Sequence, residues 1–233
     1  VTKKKGSSPL SGTRQVVTRV KTARGRTTSS VRWLNRQLND PYVAQAKKDG
    51  YRSRAAYKLL ELDDKFSFLK PGKIVLDLGA APGGWTQVAV DRCKSTADKI
   101  SVFGIDLLPI PPIGGSTLLQ MDFMADDAPD ALRALLPDGA DVVLSDMAPN
   151  TTGHQATDHL RIMALLEAAY PFAREVLKPG GVWVAKVFQG GAEKALLQAM
   201  KADFAVVKHA KPKSSRQDSS EMYVVATGFR RRA

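Results

Sequence analysis

The 233-residue sequence has one cysteine, Cys93, and three histidines, His154, His159 and His209. A single cysteine excludes a disulfide within the chain and a thiolate metal cluster. Three dispersed histidines make a zinc site a poor expectation, so no metal is assigned. His154 and His159 stand at i, i+5, a spacing that does not put both on one face of a helix. Together with Asp158 they are read as ordering a loop or touching substrate. No stretch approaches the ~18 consecutive apolar residues of a membrane span, so neither a transmembrane helix nor a membrane partner is expected. The chain lacks a Gly-Lys-Ser/Thr triplet, which excludes a Walker-type phosphate loop. Acidic residues are missing from residues 1–39, where ten Lys or Arg occur.

That last absence locates the charge. The net charge is +12, and the first 39 residues hold ten of it, leaving +2 for the rest. The basic character is therefore mostly a tail, and residues 1–31 read as a disordered extension. Such a tail suits a polyanion, nucleic acid first of all. A solvated extension that aids solubility is the plainer alternative. An Arg-rich, acid-free segment also fits an organellar transit peptide.

Residues 32–233 read as one α/β domain. Asp40-Pro41 starts a helix, with Asp40 as its cap, and Gly50 ends it. A second helix runs through Tyr57, Lys58 and Leu62 to Phe66. Apolar Ile74, Val75, Leu76 and Leu78 make a short buried strand that breaks at Gly79 and turns through Pro82, Gly83 and Gly84. A helix follows from Trp85. Further strands are expected at Ile100–Asp106, Leu118–Asp122, Ala140–Ser145, Val182–Phe188, Ala205–His209 and Met222–Thr227. Helices are expected at Ala125–Leu136, Ala156–Leu177 and Ala192–Lys201, with Lys178-Pro-Gly-Gly181 as a stop. Alternation of strands and helices predicts a mostly parallel sheet of seven strands. The last two strands have no helix between them and are expected to be antiparallel. Cys93 reads as a small buried helix residue.

The glycine turn raises the question of a ligand. A dinucleotide turn reads G-x-G-x-x-G, whereas here Ala81 replaces the middle glycine and Pro82 removes a backbone donor. Asp106 ends the next strand, as a ligand of ribose hydroxyls should, and Asp122 ends the one after it. An adenosine ligand without a pyrophosphate fits this pattern, and S-adenosylmethionine is the natural candidate.

Several motifs stand in register along the chain. They are Asp49-Gly-Tyr-Arg-Ser-Arg-Ala-Ala-Tyr-Lys58, Leu76-Asp-Leu-Gly-Ala-Ala-Pro-Gly-Gly-Trp85, Asp106-Leu-Leu-Pro109 and Met121-Asp-Phe123. Ser145-Asp-Met-Ala-Pro-Asn150, Val184-Ala-Lys-Val-Phe-Gln-Gly190 and Ser219-Ser-Glu-Met-Tyr223 complete the set. In these motifs the chain resembles the FtsJ/RrmJ (RlmE-type) ribose 2′-O-methyltransferases, over roughly residues 32–230. The resemblance implies a Rossmann-like class I S-adenosylmethionine-dependent methyltransferase. It also implies a Lys-Asp-Lys-Glu catalytic tetrad, mapped onto Lys58, Asp146, Lys186 and Glu221. The implied substrate is a uridine ribose of large-subunit ribosomal RNA, free or in the large ribosomal subunit. A monomer in the bacterial cytoplasm is expected, with a mitochondrial relative as second choice.

The chemistry agrees with those residue types. A ribose hydroxyl is a poor nucleophile until its proton leaves, and a lysine accepts a proton only as the neutral amine. Lys186 lies in an apolar strand, where solvated lysines are uncommon. Taken alone, Lys58 reads as an exposed helix residue and Glu221 as an edge-strand charge. Asp146 fits either the methionine end of the cofactor or Lys186. Cofactor contacts are expected from Gly79, Pro82, Gly83, Gly84, Trp85, Asp106, Leu107, Asp122, Phe123 and Asp146. Trp85 and Phe123 could equally be core aromatics. For RNA phosphates the candidates are Arg32, Arg36, Lys47, Lys48, Arg52, Arg54, Lys211, Lys213, Arg216 and Arg230 to Arg232, with Tyr51 and Tyr57 as stacking partners. A transfer RNA methyltransferase, a non-catalytic ribosome-assembly factor and, third, an oxidoreductase are the competing readings.

Overall fold

The structure, a computed structural model, describes residues 31, 34, 35, 37–149, 155–188, 194–217 and 219–230. The chain divides between Arg54 and Ala55 into two compact units, Val1–Arg54 and Ala55–Ala233. Within the first unit, residues 40–54 close on themselves. Helix α1, Pro41–Asp49, is capped by the Asp40 carboxylate, which accepts from Tyr42 N at 3.1 Å. Gly50 ends it at φ +80°, and Arg54 pairs back to Asp40.

In the second unit, α2 (Ala55–Phe66) is followed by β1 (Val75–Leu78), α3 (Gly84–Cys93), β2 (Val102–Asp106) and β3 (Ser116–Gln120). Next come α4 (Ala128–Leu135), β4 (Ala140–Ser145), α5 (Gln155–Val176), β5 (Leu177–Phe188), α6 (Lys194–Asp203), β6 (Phe204–Ala210) and β7 (Glu221–Phe229). The seven strands form one sheet in the order β3-β2-β1-β4-β5-β7-β6. β7 is antiparallel to both of its neighbours, and the other adjacent pairs are parallel. This is a Rossmann-like sheet with an antiparallel strand inserted between β5 and β6.

Burial follows from position. β1 is central and every one of its residues is buried, which is why it reads as an apolar run interrupted only by Asp77. Leu76, Leu78, Ile105, Val143, Trp183 and Val224 belong to one core cluster, with Leu166, Tyr170 and Ala173 of α5 packed into it. α3 packs on β1 and β2, α5 on β4 and β5, and α6 on β6.

Several boundaries differ from the sequence expectations. β2 begins at Val102 rather than Ile100. β3 spans Ser116–Gln120 because its register with β2 pairs Val102 with Ser116 and Asp106 with Gln120, so Asp122 lies two residues past the strand. α4 starts only at Ala128, after backbone turns from Asp122 to Ala125 and from Ala125 to Ala128. The expected stop at Lys178–Gly181 lies inside β5. Leu177 already pairs with Ala140, and the register then shifts so that Val182 pairs with Val142. Gly180, at φ +80°, lets the extra residues bulge from the ladder.

Candidate active site

The parallel strands bring their carboxyl ends to one edge, and the sequence places an acidic residue at or near that end of β1, β2, β3 and β4. Asp77 is within β1, Asp106 ends β2 and Asp146 follows β4. β7 adds the opposite direction. In its antiparallel register Tyr223 stands opposite Lys186, and Glu221 stands opposite Phe188. Residues two apart on a strand share a face, so Glu221, Tyr223 and Lys186 point the same way.

The four tetrad residues meet there. Lys186 Nζ donates to Asp146 O at 2.8 Å and to Asp146 Oδ1 at 2.9 Å. Lys58 Nζ, from α2, pairs with Glu221 Oε1 at 2.6 Å. Tyr223 joins the two pairs. Its hydroxyl donates to Asp146 Oδ1 at 2.8 Å and accepts from Lys58 Nζ at 3.2 Å. Lys186 is only 7% exposed, so its charge-bearing end is largely withdrawn from water. Burial pushes the Asp146 carboxyl up, but the charges of Lys186 and Lys58 outweigh it and hold it below its ordinary value. Burial, reinforced by Asp146 and Glu221, pushes the Tyr223 phenol well above its ordinary value. Tyr223 is therefore a neutral donor at any working pH.

The glycine turn lies against this cluster. Gly79 adopts φ +79°, and a Cβ there would sit 2.8 to 2.9 Å from side-chain and backbone atoms of Met147, the residue after Asp146. Only glycine allows that approach. Gly83 begins α3 at φ +107° without a side-chain cap. Asp106 Oδ2 accepts from Ala81 N at 2.9 Å and Oδ1 from Leu108 N at 2.8 Å, which orients the carboxylate beside the turn. Asp122 is exposed, with Oδ1 accepting from Met124 N at 2.9 Å. Phe123 is half-buried and meets Phe172 edge-on, with ring centres 5.9 Å apart. Gly84 is buried, while Pro82 and Leu107 are exposed.

Trp85 is buried, at 3% exposed. Its indole N–H donates to Ala55 O at 2.8 Å and its ring lies 5.6 Å from that of Tyr223. It thus packs against the tyrosine that links the two ion pairs. Cys93 is buried and its thiol is pushed up to about 11, mainly by burial, so it is inert.

A family profile for FtsJ-like methyltransferases matches residues 51–229. The chain belongs to the FtsJ-like methyltransferase family. A protein of Granulibacter bethesdensis named ribosomal RNA large subunit methyltransferase E is 60% identical over 224 residues, 96% of this chain and 95% of that one. A protein of the same name from Paramagnetospirillum magneticum is 60% identical over 227 residues, 97% of this chain and 93% of that one. A solved Plasmodium falciparum structure, described as a ribosomal RNA methyltransferase, superposes with a TM-score of 0.66 at 34% identity. It covers 77% of this chain and 98% of that chain.

In this FtsJ-like chain Tyr223 bridges the tetrad, a role that its place in an alternating strand does not signal. Asp77 is fully buried, accepts from Thr86 Oγ1 at 2.7 Å through Oδ2, and has no hydrogen-bond partner on Oδ1 among the described residues. Burial, with the charges of Asp146 and Asp106 adding to it, raises its carboxyl to about 7. Among the RNA candidates, Lys47, Lys48, Lys211, Lys213 and Arg230 are exposed, whereas Arg52, Arg54 and Arg216 are half-buried. Tyr51 and Tyr57 are half-buried too. Arg32, Arg36, Arg231, Arg232, His154 and most of the basic tail lie outside the described residues, as do the side chains of Asp158 and His159.

Proposed function

We propose that this methyltransferase methylates the 2′-hydroxyl of a uridine ribose in large-subunit ribosomal RNA, with Lys186 as general base. The observation that carries the reading is the hydrogen-bonding of Lys186. A neutral amine has two N–H bonds, one for each acceptor on Asp146, and keeps a lone pair for a substrate proton. The names of the two 60% identical relatives support the class of RNA.

The residues around the turn fit S-adenosylmethionine. The close approach of Gly79 to Met147 leaves a backbone-lined wall where larger side chains cannot intrude. Asp77 Oδ1 is a buried acceptor without a partner among the described residues, on the strand that leads into the turn. Asp106 would take the ribose hydroxyls, Asp122 and Phe123 the adenine, and the backbone at Gly83 the methionine end. When bound, S-adenosylmethionine supplies a methyl group on a sulfonium sulfur, and the C–S electron pair returns to sulfur on transfer.

The chain's own residues do the rest. Lys186 Nζ takes the proton of the 2′-hydroxyl as the oxygen–carbon bond forms. Asp146 holds the resulting ammonium at 2.9 Å. Lys58, fixed by Glu221 and Tyr223, adds a cation on the other side of Asp146, where it orients the incoming oxygen. The contribution of these groups is positioning and charge placement. The reading includes a monomer in the bacterial cytoplasm.

The test is transfer of labelled methyl from S-adenosylmethionine to ribosomal particles, free ribosomal RNA and transfer RNA, with the modified nucleotide mapped. A labelled uridine ribose in large-subunit RNA is expected. Label confined to transfer RNA would assign the enzyme to that substrate instead. RNA binding without label anywhere would favour a non-catalytic assembly factor.

A further inference from the structure

The loop between β6 and β7, residues 211–220, is fastened to α2 at one point. The carboxylate of Glu61 accepts from Lys213 N and from Ser214 N, the latter at 3.1 Å. Lys211 Nζ closes the same loop from within by donating to Ser219 O at 2.7 Å and Gln217 O at 3.3 Å. From the fastened segment, Ser215 Oγ donates to Glu221 Oε1 at 3.1 Å, and Ser219 Oγ accepts from Glu221 N at 3.2 Å. Glu221 Oε1 is the atom that pairs with Lys58 Nζ, at 2.6 Å. Lys58 lies one helical turn before Glu61 on α2.

These contacts make a closed ring: Lys58, Glu221, Ser215, the loop backbone, Glu61 and the turn of α2 back to Lys58. We propose that Glu61 is a positioning residue for methyl transfer, acting through the loop and Ser215 to hold the Lys58–Glu221 pair in place. This rests on the assignment of Lys58 and Glu221 to the reaction. Ser214 and Ser215 are buried, so of the two backbone N–H groups offered to Glu61 the one from Ser214 lies in a buried residue, while Lys213 is exposed. A carboxylate with two oxygens matches two consecutive N–H groups. No short-range feature of the sequence requires a glutamate there, since Glu61 and Ser214 are 153 residues apart. The exposed Lys213 shares the anchored segment, so an RNA phosphate drawn to it meets a loop already tied to the tetrad.

The experiment is a kinetic cycle on the full chain with Glu61→Ala, Ser215→Ala and the double variant, read as single-turnover methyl transfer to large-subunit RNA. Amide hydrogen exchange at Lys213 and Ser214 is followed in parallel. Glu61→Ala is expected to speed exchange at those two amides and to slow transfer about tenfold or more, with S-adenosylmethionine affinity unchanged. The double variant is expected to be no slower than Glu61→Ala, because both changes break the same ring. Glu61→Gln, which keeps one acceptor oxygen, is expected to recover most of the rate. Losses that multiply in the double variant would overturn the proposal, as would an undiminished rate despite faster exchange. If Glu61→Ala does not fold, Ser215→Ala alone decides: an undiminished rate overturns the proposal. A wild-type protein that transfers no methyl to any RNA would instead remove the functional assignment, whatever the exchange data show.

Discussion

Tyr223 and Lys186 face each other across β5 and β7, and both donate to the same atom, Asp146 Oδ1, at 2.8 and 2.9 Å. The register of one antiparallel strand pair therefore sets the geometry around the proposed base. Tyr223 also accepts from Lys58, so its hydroxyl is the link between the two ion pairs.

Tyr223→Phe tests that link. The ring keeps its packing against Trp85. Only the hydroxyl is lost, and Asp146 loses a donor. A hydrogen bond to a charged group contributes about 1.5–3 kcal/mol, so the methyl-transfer rate should fall roughly ten- to a hundredfold. The melting temperature should fall as well, by roughly 3–12 °C for a chain of this size, so rates are compared well below the transition. Single-turnover kinetics beside a thermal melt check this, and an undiminished rate would make the hydroxyl a bystander.

Asp77 predicts a pH effect on stability. Its folded-state value of about 7 lies above its ordinary 3.8. Between these values the folded chain holds a proton that the unfolded chain has released. Its contribution to stability is therefore full below about pH 4, and is lost as pH rises towards 7. The slope approaches about 1.4 kcal/mol per pH unit in the middle of that window. Asp77→Asn removes the titrating group, so the stability gap between variant and wild type should move steadily in the variant's favour from pH 4 to 7 and then level off. Denaturant unfolding without cofactor at several pH values measures it, and parallel curves would show that Asp77 does not titrate there.

Gly79→Ala should cost stability and cofactor together. The added Cβ meets Met147 backbone at 2.9 Å in a conformation that side chains rarely adopt. Overpacking and backbone strain of this kind cost about 1–3 kcal/mol. A lowered melting temperature and weakened S-adenosylmethionine binding by calorimetry are expected. A variant that melts and binds like wild type would mean that the turn yields freely.

The parallel half of the sheet was legible in the sequence because doubly covered strands read as mainly apolar runs, as Val75, Leu76 and Leu78 do around Asp77. Asp106 could be placed because it ends such a run. The insertion of β7 between β5 and β6 was not legible, since strand order depends on contacts distant in sequence. Leu177–Gly181 misled because Pro179 and the two glycines after it spell a stop while the bulge keeps them in the ladder. The tetrad came from motif resemblance, and Lys58 and Glu221 read as surface charges until the structure paired them. Tyr223 escaped because an aromatic in an alternating strand reads as core, which it also is.

Removing residues 1–30 should weaken RNA binding and flatten its salt dependence, because eight of the ten early cations lie there. The slope of log affinity against log salt should become shallower by about 0.7 for each phosphate that those cations neutralise. Titrations at several salt concentrations read this directly. An unchanged slope would assign the segment to targeting or solubility.

The account turns on Lys186. Its replacement by alanine should slow single-turnover methyl transfer to large-subunit RNA about 10²- to 10⁴-fold, the usual worth of a general base. Binding of the RNA and of S-adenosylmethionine should be largely kept. Loss of the uridine 2′-O-methyl mark with both ligands still bound is the predicted result. Transfer by Lys186→Ala at close to the wild-type rate would contradict it.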